Sequence, residues 1–289
     1  MVSVVGALLA LLVFFALFGI FVTQYVPLWM NDNEAQFTGQ VQASFAELKQ
    51  NIDLQTTLGG PQVLSVPFPL ASQGIPLFAA PTTATLNYIP HTQGVYASVT
   101  MQYGPGGQRN FVYNQSLGTL QVTVPNRYFP PQQFIYEDDA VIQSQGDRQQ
   151  VIEYPPLISI NSSGNYQSVS LTIVQLFGNA TQVVSTGTDE VYTHFGSLTS
   201  FPSNGSLSAP GAPFTVTIVI GTNQPCAWAT FLNATLGEAG LPSGAYTLAP
   251  STCVAGLGAS VPVKLVFTEL TSFDLFVATS TIVTGIGEI

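Results

Sequence analysis

The chain opens with an uninterrupted apolar run. From Met1 to Met30 the only strongly polar side chains are Ser3, Thr23 and Gln24, and no residue is charged. About 20 apolar residues are enough for a helix to cross the hydrocarbon core of a bilayer, so the run predicts a membrane-spanning helix. No Lys or Arg precedes the run and no small-residue cleavage site follows it. We therefore interpret it as a helix that stays on the mature protein.

The helical pattern continues beyond the apolar run but becomes one-sided. After the polar segment Asn31–Glu34, apolar residues recur at spacings of three and four, which places them on one face of a helix. These residues are Phe37, Val41, Phe45, Leu48 and Ile52. We predict one helix from about Met1 to about Leu54, roughly 80 Å long at 1.5 Å per residue, ended by Gly59-Gly60-Pro61.

Pro27 lies within this predicted helix. Its ring removes a backbone N–H and crowds the carbonyl of Thr23, so a kink is expected between these two residues.

A β pattern begins at Val63, with Val, Thr, Tyr, Phe and Ile alternating with polar residues between Gly, Pro and Asn. The predicted strands are Ala84–Ile89, Val95–Tyr103, Asn110–Tyr113, Thr119–Val124, Gln133–Tyr136, Val141–Ser144, Val151–Tyr154, Val169–Leu176, Val183–Thr186, Phe214–Ile220, Val261–Glu269 and Phe273–Val283. The spacing of Trp228, Phe231, Leu232 and Leu236 predicts a short helix over Ala227–Ala239.

Together these elements predict an α+β chain in two parts. Residues 1–55 form the long hydrophobic helix, and residues 56–289 form a β-rich, antiparallel, sandwich-like head. The Ser-, Gly- and Pro-rich segment 202–213 is a candidate loop or subdomain junction within the head.

The amino-acid composition limits the classes of molecule that the protein is expected to bind. Only 7% of residues are charged, and 15 acidic against 5 basic residues give a net charge of -10. This balance excludes nucleic acid as the expected partner, because such binding depends on Lys and Arg that neutralise phosphates. A surface with so few charges suits either an acidic exterior, where few ion pairs are lost on protonation, or a surface made soluble by sugars.

Two features fit an exported head. Cys226 and Cys253 are the only cysteines, and in an extracellular region a disulfide between them is expected. Five Asn-x-Ser/Thr sequons lie in the β region, which predicts N-linked glycans. The sequon residues are Asn114, Asn161, Asn179, Asn204 and Asn233.

The sequence does not indicate an enzyme. It contains no GxSxG, HExxH, P-loop or Rossmann glycine pattern. His91 and His194 stand in polar β or loop settings, where exposed or structural roles are expected. The acidic clusters 137–139 and 189–190 are expected to be solvated turns, with a calcium site as the alternative. No catalytic residue, no cofactor-binding residue and no metal ligand is therefore predicted.

The apolar opening Ser3–Leu12 (SVVGALLALL), followed by the one-sided continuation, resembles the mature N-terminus of archaeal type IV pilins and archaellins. Two further segments, Tyr128–Ile142 and Pro225–Leu232, are similar to parts of large pilin-like surface proteins of euryarchaea. Position 5 carries Val5 where bacterial type IV pilins have Glu, and this favours the archaeal branch of the family.

The resemblance implies that the chain is a structural subunit of an extracellular filament, a homopolymer of this chain that serves adhesion or surface attachment. A prepilin peptidase would remove a leader, and an assembly platform would extract the helix from the membrane. The helices would then pack as the filament core, with glycosylated heads as the sheath. The residues expected in that core are Val4, Val5, Leu8, Leu9, Leu11, Leu12, Phe14, Phe15, Phe18 and Phe21, and small residues such as Gly6 and Gly19 would allow close helix approach.

Two alternatives stay open. One is a single-pass, membrane-anchored monomeric surface glycoprotein or adhesin, in which Tyr25 and Trp29 would lie at the membrane interface. The other is an archaellin-type subunit of a motility filament.

Overall fold

The computed structural model describes residues 2–60, 62–103, 109–145, 149–163, 166–201, 207–208, 214–242, 244–251, 253 and 261–285. One long helical segment leads into a head built from β-sheets, which confirms the predicted α+β class. The helical segment consists of α1 (Val2–Ile20), a π-helical turn (Phe21–Tyr25) and α2 (Val26–Leu58).

The π-helical turn lies immediately before Pro27. There the Val26 N–H bonds to the carbonyl of Phe21, five residues back, and the Thr23 hydroxyl donates to the Gly19 carbonyl at 2.7 Å. Proline has no N–H to donate and crowds the preceding turn, and a wider turn at this point leaves room for its ring.

Helix α2 extends four residues beyond the predicted Leu54. It ends at Gly59, which adopts a left-handed φ of 62° and donates its N–H to the carbonyl of Gln55 at 2.9 Å. A glycine in this position is the common way for a helix to stop.

The head contains strands of 2 to 14 residues. The strands are β1 (Val63–Pro69), β2 (Thr85–Ile89), β3 (Tyr96–Tyr103), β4 (Arg109–Ser116), β5 (Thr119–Val124), β6 (Gln132–Glu137), β7 (Ala140–Gln145), β8 (Gln149–Tyr154), β9 (Ile158–Ser163), β10 (Tyr166–Phe177), β11 (Thr181–Val184), β12 (Thr188–Phe201), β13 (Leu207–Ser208), β14 (Phe214–Gly221), β15 (Tyr246–Ala249), β16 (Val263–Leu270) and β17 (Ser272–Thr284). A third helix, α3 (Pro225–Glu238), confirms the short helix that the sequence predicts.

In the described part of the chain these strands form three sheets. The first has the order β1-β12-β17-β10-β9, with β13 beside β17. The second has the order β11-β2-β5-β6-β7-β8, and the third β15-β16-β14-β3-β4. Neighbouring strands are antiparallel except β10 and β17, which run parallel with Val169 opposite Phe273.

The first sheet separates two hydrophobic cores. Along β10, Val169 and Leu171 face the core shared with the third sheet and α3, whereas Val174 and Leu176 face the core shared with α2 and the second sheet. Because successive side chains of a strand point to opposite faces, one sheet serves both cores and joins them in one head.

The one-sided half of the helix packs on the head through the face that the sequence predicts. Phe37, Val41, Phe45, Leu48 and Ile52 are all buried in the second of these cores. The ring of Phe45 contacts those of Phe68 and Phe134, with centroids 5.1 and 5.9 Å away. Burial of five such side chains stabilises the attachment by on the order of 10 kcal/mol before entropy is counted.

Three predictions need correction or lie outside the described residues. The acidic cluster 189–190 is half-buried within strand β12 and is not a solvated turn. The acidic cluster 137–139 is at a turn, but it is buried rather than solvated: Lys49 of α2 contacts Asp139, and Trp228 of α3 contacts Glu137. The predicted junction 202–213 lies outside the described residues except for Leu207 and Ser208, which pair with Phe273 and Ser272 of β17.

Candidate assembly helix and its junction with the head

The apolar half of the helix is uncovered. Nine of the ten predicted core residues are exposed, from 44% for Phe18 to 65% for Leu12, and the tenth, Phe21, is half-buried. The exposed residues are Val4, Val5, Leu8, Leu9, Leu11, Leu12, Phe14, Phe15 and Phe18. The helix is long and apolar enough to cross a membrane, and its most apolar window has no residue buried within the chain. A surface this apolar must be covered by lipid or by other protein.

Glycines in this half are not required by the chain itself. A Cβ added at Gly6 or Gly19 would meet no atom within 4 Å. Packing within the chain therefore does not explain glycine at these two positions.

A loop of the head reaches back towards this apolar half. We call residues 71–83 the finger. Its two arms are joined by bridges between Ala71 and Thr83 and between Ile75 and Ala79. At its tip the ring of Phe78 lies 6.1 Å from that of Phe18 and 5.4 Å from that of Phe21.

Glu34 fixes the helix to the head at the base of the finger. Its carboxylate is fully buried. It accepts hydrogen bonds from the Thr82 hydroxyl at 2.5 Å and from the backbone N–H groups of Arg127, Tyr128 and Phe129 at 2.7–3.1 Å. Three successive N–H groups that point at one anion form a concave anion-binding site.

These hydrogen bonds decide the charge state of Glu34. Burial by itself would raise the pKa of Glu34, but the bonds from Thr82 and from the three N–H groups outweigh it and hold the pKa below its usual value of 4.5. The carboxylate is therefore ionised at neutral pH, and charge-assisted bonds of this kind are the strong ones.

Neighbouring amides extend the junction. Asn31 donates to the Tyr128 carbonyl at 2.7 Å, Asn33 donates to the Gln73 carbonyl at 2.9 Å, and Asn126 donates to the Thr38 hydroxyl at 3.0 Å. The polar segment Asn31–Glu34 therefore forms specific hydrogen bonds with the head.

A second polar contact lies farther along the helix. The ammonium of Lys49, which is 5% exposed, lies 2.6 Å from a carboxylate oxygen of Asp53 and 2.9 Å from one of Asp139. Asp139 also accepts hydrogen bonds from the Tyr136 hydroxyl at 3.1 Å and from the Leu157 N–H at 2.8 Å. Lys49 therefore joins the helix to the β6–β7 turn.

The β6–β7 turn carries two more buried carboxyl groups. Glu137 accepts hydrogen bonds from the Thr222 hydroxyl and, at 2.9 Å, from the Trp228 indole of α3. One oxygen of Asp138 is buried and has no hydrogen-bond partner among the described residues. Burial, and next the negative charges of Asp139 and Glu137, raise the pKa of Asp138 well above its usual value of 3.8.

The turn itself requires unusual backbone angles. Asp138 and Asp139 have φ of 44° and 64°, as in the two-residue turn that joins tightly twisted hairpins. Asp tolerates this left-handed region better than most residues do.

Among the described residues no three His, Cys, Asp or Glu side chains are placed to hold one metal ion. His91 and His194 are both exposed, on the β2–β3 connection and on β12.

The remaining predicted residues lie on the head. Cys226 and Cys253 form a disulfide with a Cα–Cα distance of 4.7 Å, which confirms that prediction. The sequon residues Asn114, Asn161, Asn179 and Asn233 are exposed, and Asn204 lies outside the described residues.

Sequence reasoning missed Glu34 and Lys49 as junction residues, although a signal was present. Glu34 lies three residues before Phe37, and Lys49 lies four after Phe45. Both charges therefore fall on the apolar face of the helix, where a charged residue needs a buried partner.

Comparison of the chain with protein-family models, with curated proteins and with solved structures finds no match.

Proposed function

We propose that the chain is the structural subunit of an extracellular, pilus-like filament. The exposed halves of many copies of the helix pack together as the core, and the heads form the outer layer. The filament serves attachment to surfaces. Before assembly the helix resides in the membrane, and a prepilin peptidase and an assembly platform act on the subunit at that stage.

The observation that carries this proposal is the contrast between the two halves of one continuous helix. The half after Met30 is held to the head by buried apolar side chains and by Glu34 and Lys49. The half before it is apolar on every side and exposed over its most apolar window, and near the head the finger contacts it through Phe78. A rigid rod with an uncovered apolar end is suited to association with identical rods, because each helix then covers its neighbours.

The heads suit an outer layer in contact with solvent. The described sequon residues are exposed, so N-linked glycans can be attached without unfolding the head. The disulfide between Cys226 and Cys253 fits an oxidising exterior.

A membrane-anchored monomer is the second candidate, and one observation favours it. Tyr25 and Trp29 are 50% and 44% exposed and their rings are neighbours, with centroids 6.3 Å apart. Aromatic side chains at the end of an apolar helix are typical of a membrane interface. Both candidates share membrane residence and differ in whether the subunit leaves the membrane.

Shearing the producing cells and imaging the supernatant by electron microscopy separates the two. We expect filaments that contain this chain in the sheared fraction. Recovery of the protein only from the detergent-soluble membrane fraction, without filaments, would refute the filament and favour the anchor.

A charge substitution tests the core assignment. Leu12→Asp places an unpaired charge in the exposed apolar half, which is strongly unfavourable in lipid or in a helix bundle. We expect no filaments from this variant. Leu58→Asp is the matched control, because Leu58 is 58% exposed but lies at the far end of α2, and filaments should persist. Normal filaments from Leu12→Asp would contradict the assignment.

A further inference from the structure

The finger is an apolar extension of an otherwise polar head. No residue from 71 to 83 is charged, and the eight residues from Gly74 to Pro81 are all apolar. Its base is bonded to the helix through Gln73 and Thr82, which contact Asn33 and Glu34. Its tip lies beside Phe18 and Phe21. The finger therefore runs along the helix for about twelve residues, or roughly 18 Å, away from the rest of the head.

The tip presents a leucine that the chain does not use for its own packing. Leu77 is 101% exposed and has a φ of 70°. A bulky residue in the left-handed region is rare and energetically unfavourable. A leucine held there in full exposure, next to the half-exposed ring of Phe78, is explained if its partner lies outside the chain.

Part of the backbone at the tip is hydrogen-bonded within the finger, which lowers the cost of bringing the tip to the boundary of the lipid layer. The N–H of Ile75 donates to the carbonyl of Ala79 at 2.9 Å. The N–H groups of Phe78 and Ala79 donate to the carbonyl of Ile75 at 3.1 and 3.0 Å. Pro76 has no N–H to satisfy.

The position of the tip along the helix selects lipid as the partner. The uncharged apolar run extends to Phe21 and Val22, and the polar side chains of Thr23 and Gln24 follow it. The boundary of the hydrocarbon core on the side of the head then lies near Phe21, level with the tip of the finger. Tyr25 and Trp29 follow one and two turns farther out, at the depth of an aromatic belt, and the first charged residue, Asp32, follows them.

We propose that the finger inserts Leu77 and Phe78 into the lipid layer on the side of the head, as a second membrane contact beside the helix. This inference rests on the membrane residence in the proposed function, which the anchor alternative shares, and it does not depend on filament formation. The contact would hold the head at a defined height and rotation on the membrane, because the finger and the helix are two separate points of attachment.

Depth-dependent quenching of a label at position 77 tests the inference. Leu77→Cys in the full chain is labelled with a nitrobenzoxadiazole fluorophore and placed in phosphatidylcholine nanodiscs, with lipid that carries a nitroxide near the glycerol end of one acyl chain. Leu12→Cys serves as the positive control. Val112→Cys is the matched control, because Val112 is 62% exposed on β4, in the third sheet. The native cysteines are already paired.

We expect lipid quenching at position 77 to be several-fold greater than at position 112, with emission at a shorter wavelength. Quenching at position 12 but not at position 77 would overturn the inference while leaving membrane residence and the filament intact. A third outcome is a label at position 77 that is shielded from aqueous iodide but not quenched by lipid. If this shielding disappears when each disc holds one copy, a second copy covers the finger, and the inference is also overturned. An unquenched label at position 12 would refute both the inference and the membrane stage of the proposed function.

Discussion

The carboxylate of Glu34 accepts a hydrogen bond from the backbone N–H of Tyr128 at 2.7 Å. The two residues are 94 positions apart in the chain, and the bond lies where the uncovered half of the helix meets the head. Flexing of the helix relative to the head at this level would break a buried, charge-assisted bond. Glu34 is therefore one of the residues through which the orientation of the head is coupled to the direction of the helix.

Removal of this carboxylate should weaken the junction. Glu34→Ala removes the acceptor of the Thr82 hydroxyl and of the part-buried N–H groups of residues 127–129, at a cost of about 3 kcal/mol. We expect the melting temperature of the head in detergent, followed by near-UV circular dichroism, to fall by several degrees. Because the pKa of Glu34 is lowered, its contribution is present above its usual pKa of 4.5 and is lost as the pH falls through the folded-state pKa.

Glu47→Ala is the control for that experiment. Glu47 lies on the same helix but is exposed, and exposed substitutions usually change the free energy of unfolding by less than about 0.5 kcal/mol. Equal effects of the two substitutions would show that the buried bonds of Glu34 do not stabilise the junction.

Lys49→Met tests the second polar contact between helix and head. The substitution removes the cation beside Asp139, whose carboxyl group is buried. Loss of one partner of a buried ion pair costs about 3–5 kcal/mol. We expect a clear drop in melting temperature at neutral pH and a smaller one at acidic pH, where a proton on Asp139 replaces the lost charge. Lys264→Met, at an exposed position, should change little. A loss that is equal at both pH values would contradict the role assigned to the charge.

The disulfide should stabilise the head independently of the helix. It closes a sequence separation of 27 residues, and in the chain-entropy model such a link is worth roughly 3–4 kcal/mol. Cys226→Ser with Cys253→Ser should therefore lower the melting temperature by about the same amount as reduction of the native protein. An unchanged melting temperature after complete reduction, verified by thiol titration, would contradict this.

Periodicity was sufficient for the elements whose burial is local. The face of α2 that begins at Phe37 follows from spacings of three and four, and β10 and β17 follow from runs of β-branched and aromatic residues. Strand β12 (Thr188–Phe201) did not follow, because its second half is rich in Ser, Thr and Gly and is exposed on both faces from Gly196 to Ser200.

Partners far apart in the chain were not predictable. The parallel pairing of β10 with β17 joins Val169 to Phe273, and no linear pattern states which strands become neighbours. The three N–H groups that bind Glu34 belong to the backbone. The identity of the side chains at Arg127–Phe129 therefore does not indicate this contact. The finger could not be predicted from the sequence either, because Gly and Pro around Leu77 indicate only a turn.

Because Asp138 in the β6–β7 turn is buried, we expect the head to be more stable in mild acid than at neutral pH. The pKa of Asp138 is raised well above 3.8 by burial and by its two acidic neighbours, so the folded state binds a proton that the unfolded state has released. Its contribution is fully present below about pH 4 and is lost as the pH rises towards the folded-state pKa. A difference of one between the folded and unfolded pKa values is worth about 1.4 kcal/mol.

Asp138→Asn isolates this effect. Asn is neutral at every pH and, like Asp, accepts the left-handed φ of 44° found at this position. We expect the wild-type melting temperature, measured with the full chain in detergent, to fall between pH 4.5 and pH 8. The variant should show a smaller fall and be the more stable of the two at pH 8, because no charge has to be buried. Asp32→Asn, at an exposed position of the helix, should keep the wild-type profile. A wild-type protein that is more stable at pH 8 than at pH 4.5, or an Asp138→Asn variant with an unchanged profile, would show that Asp138 is ionised in the folded head.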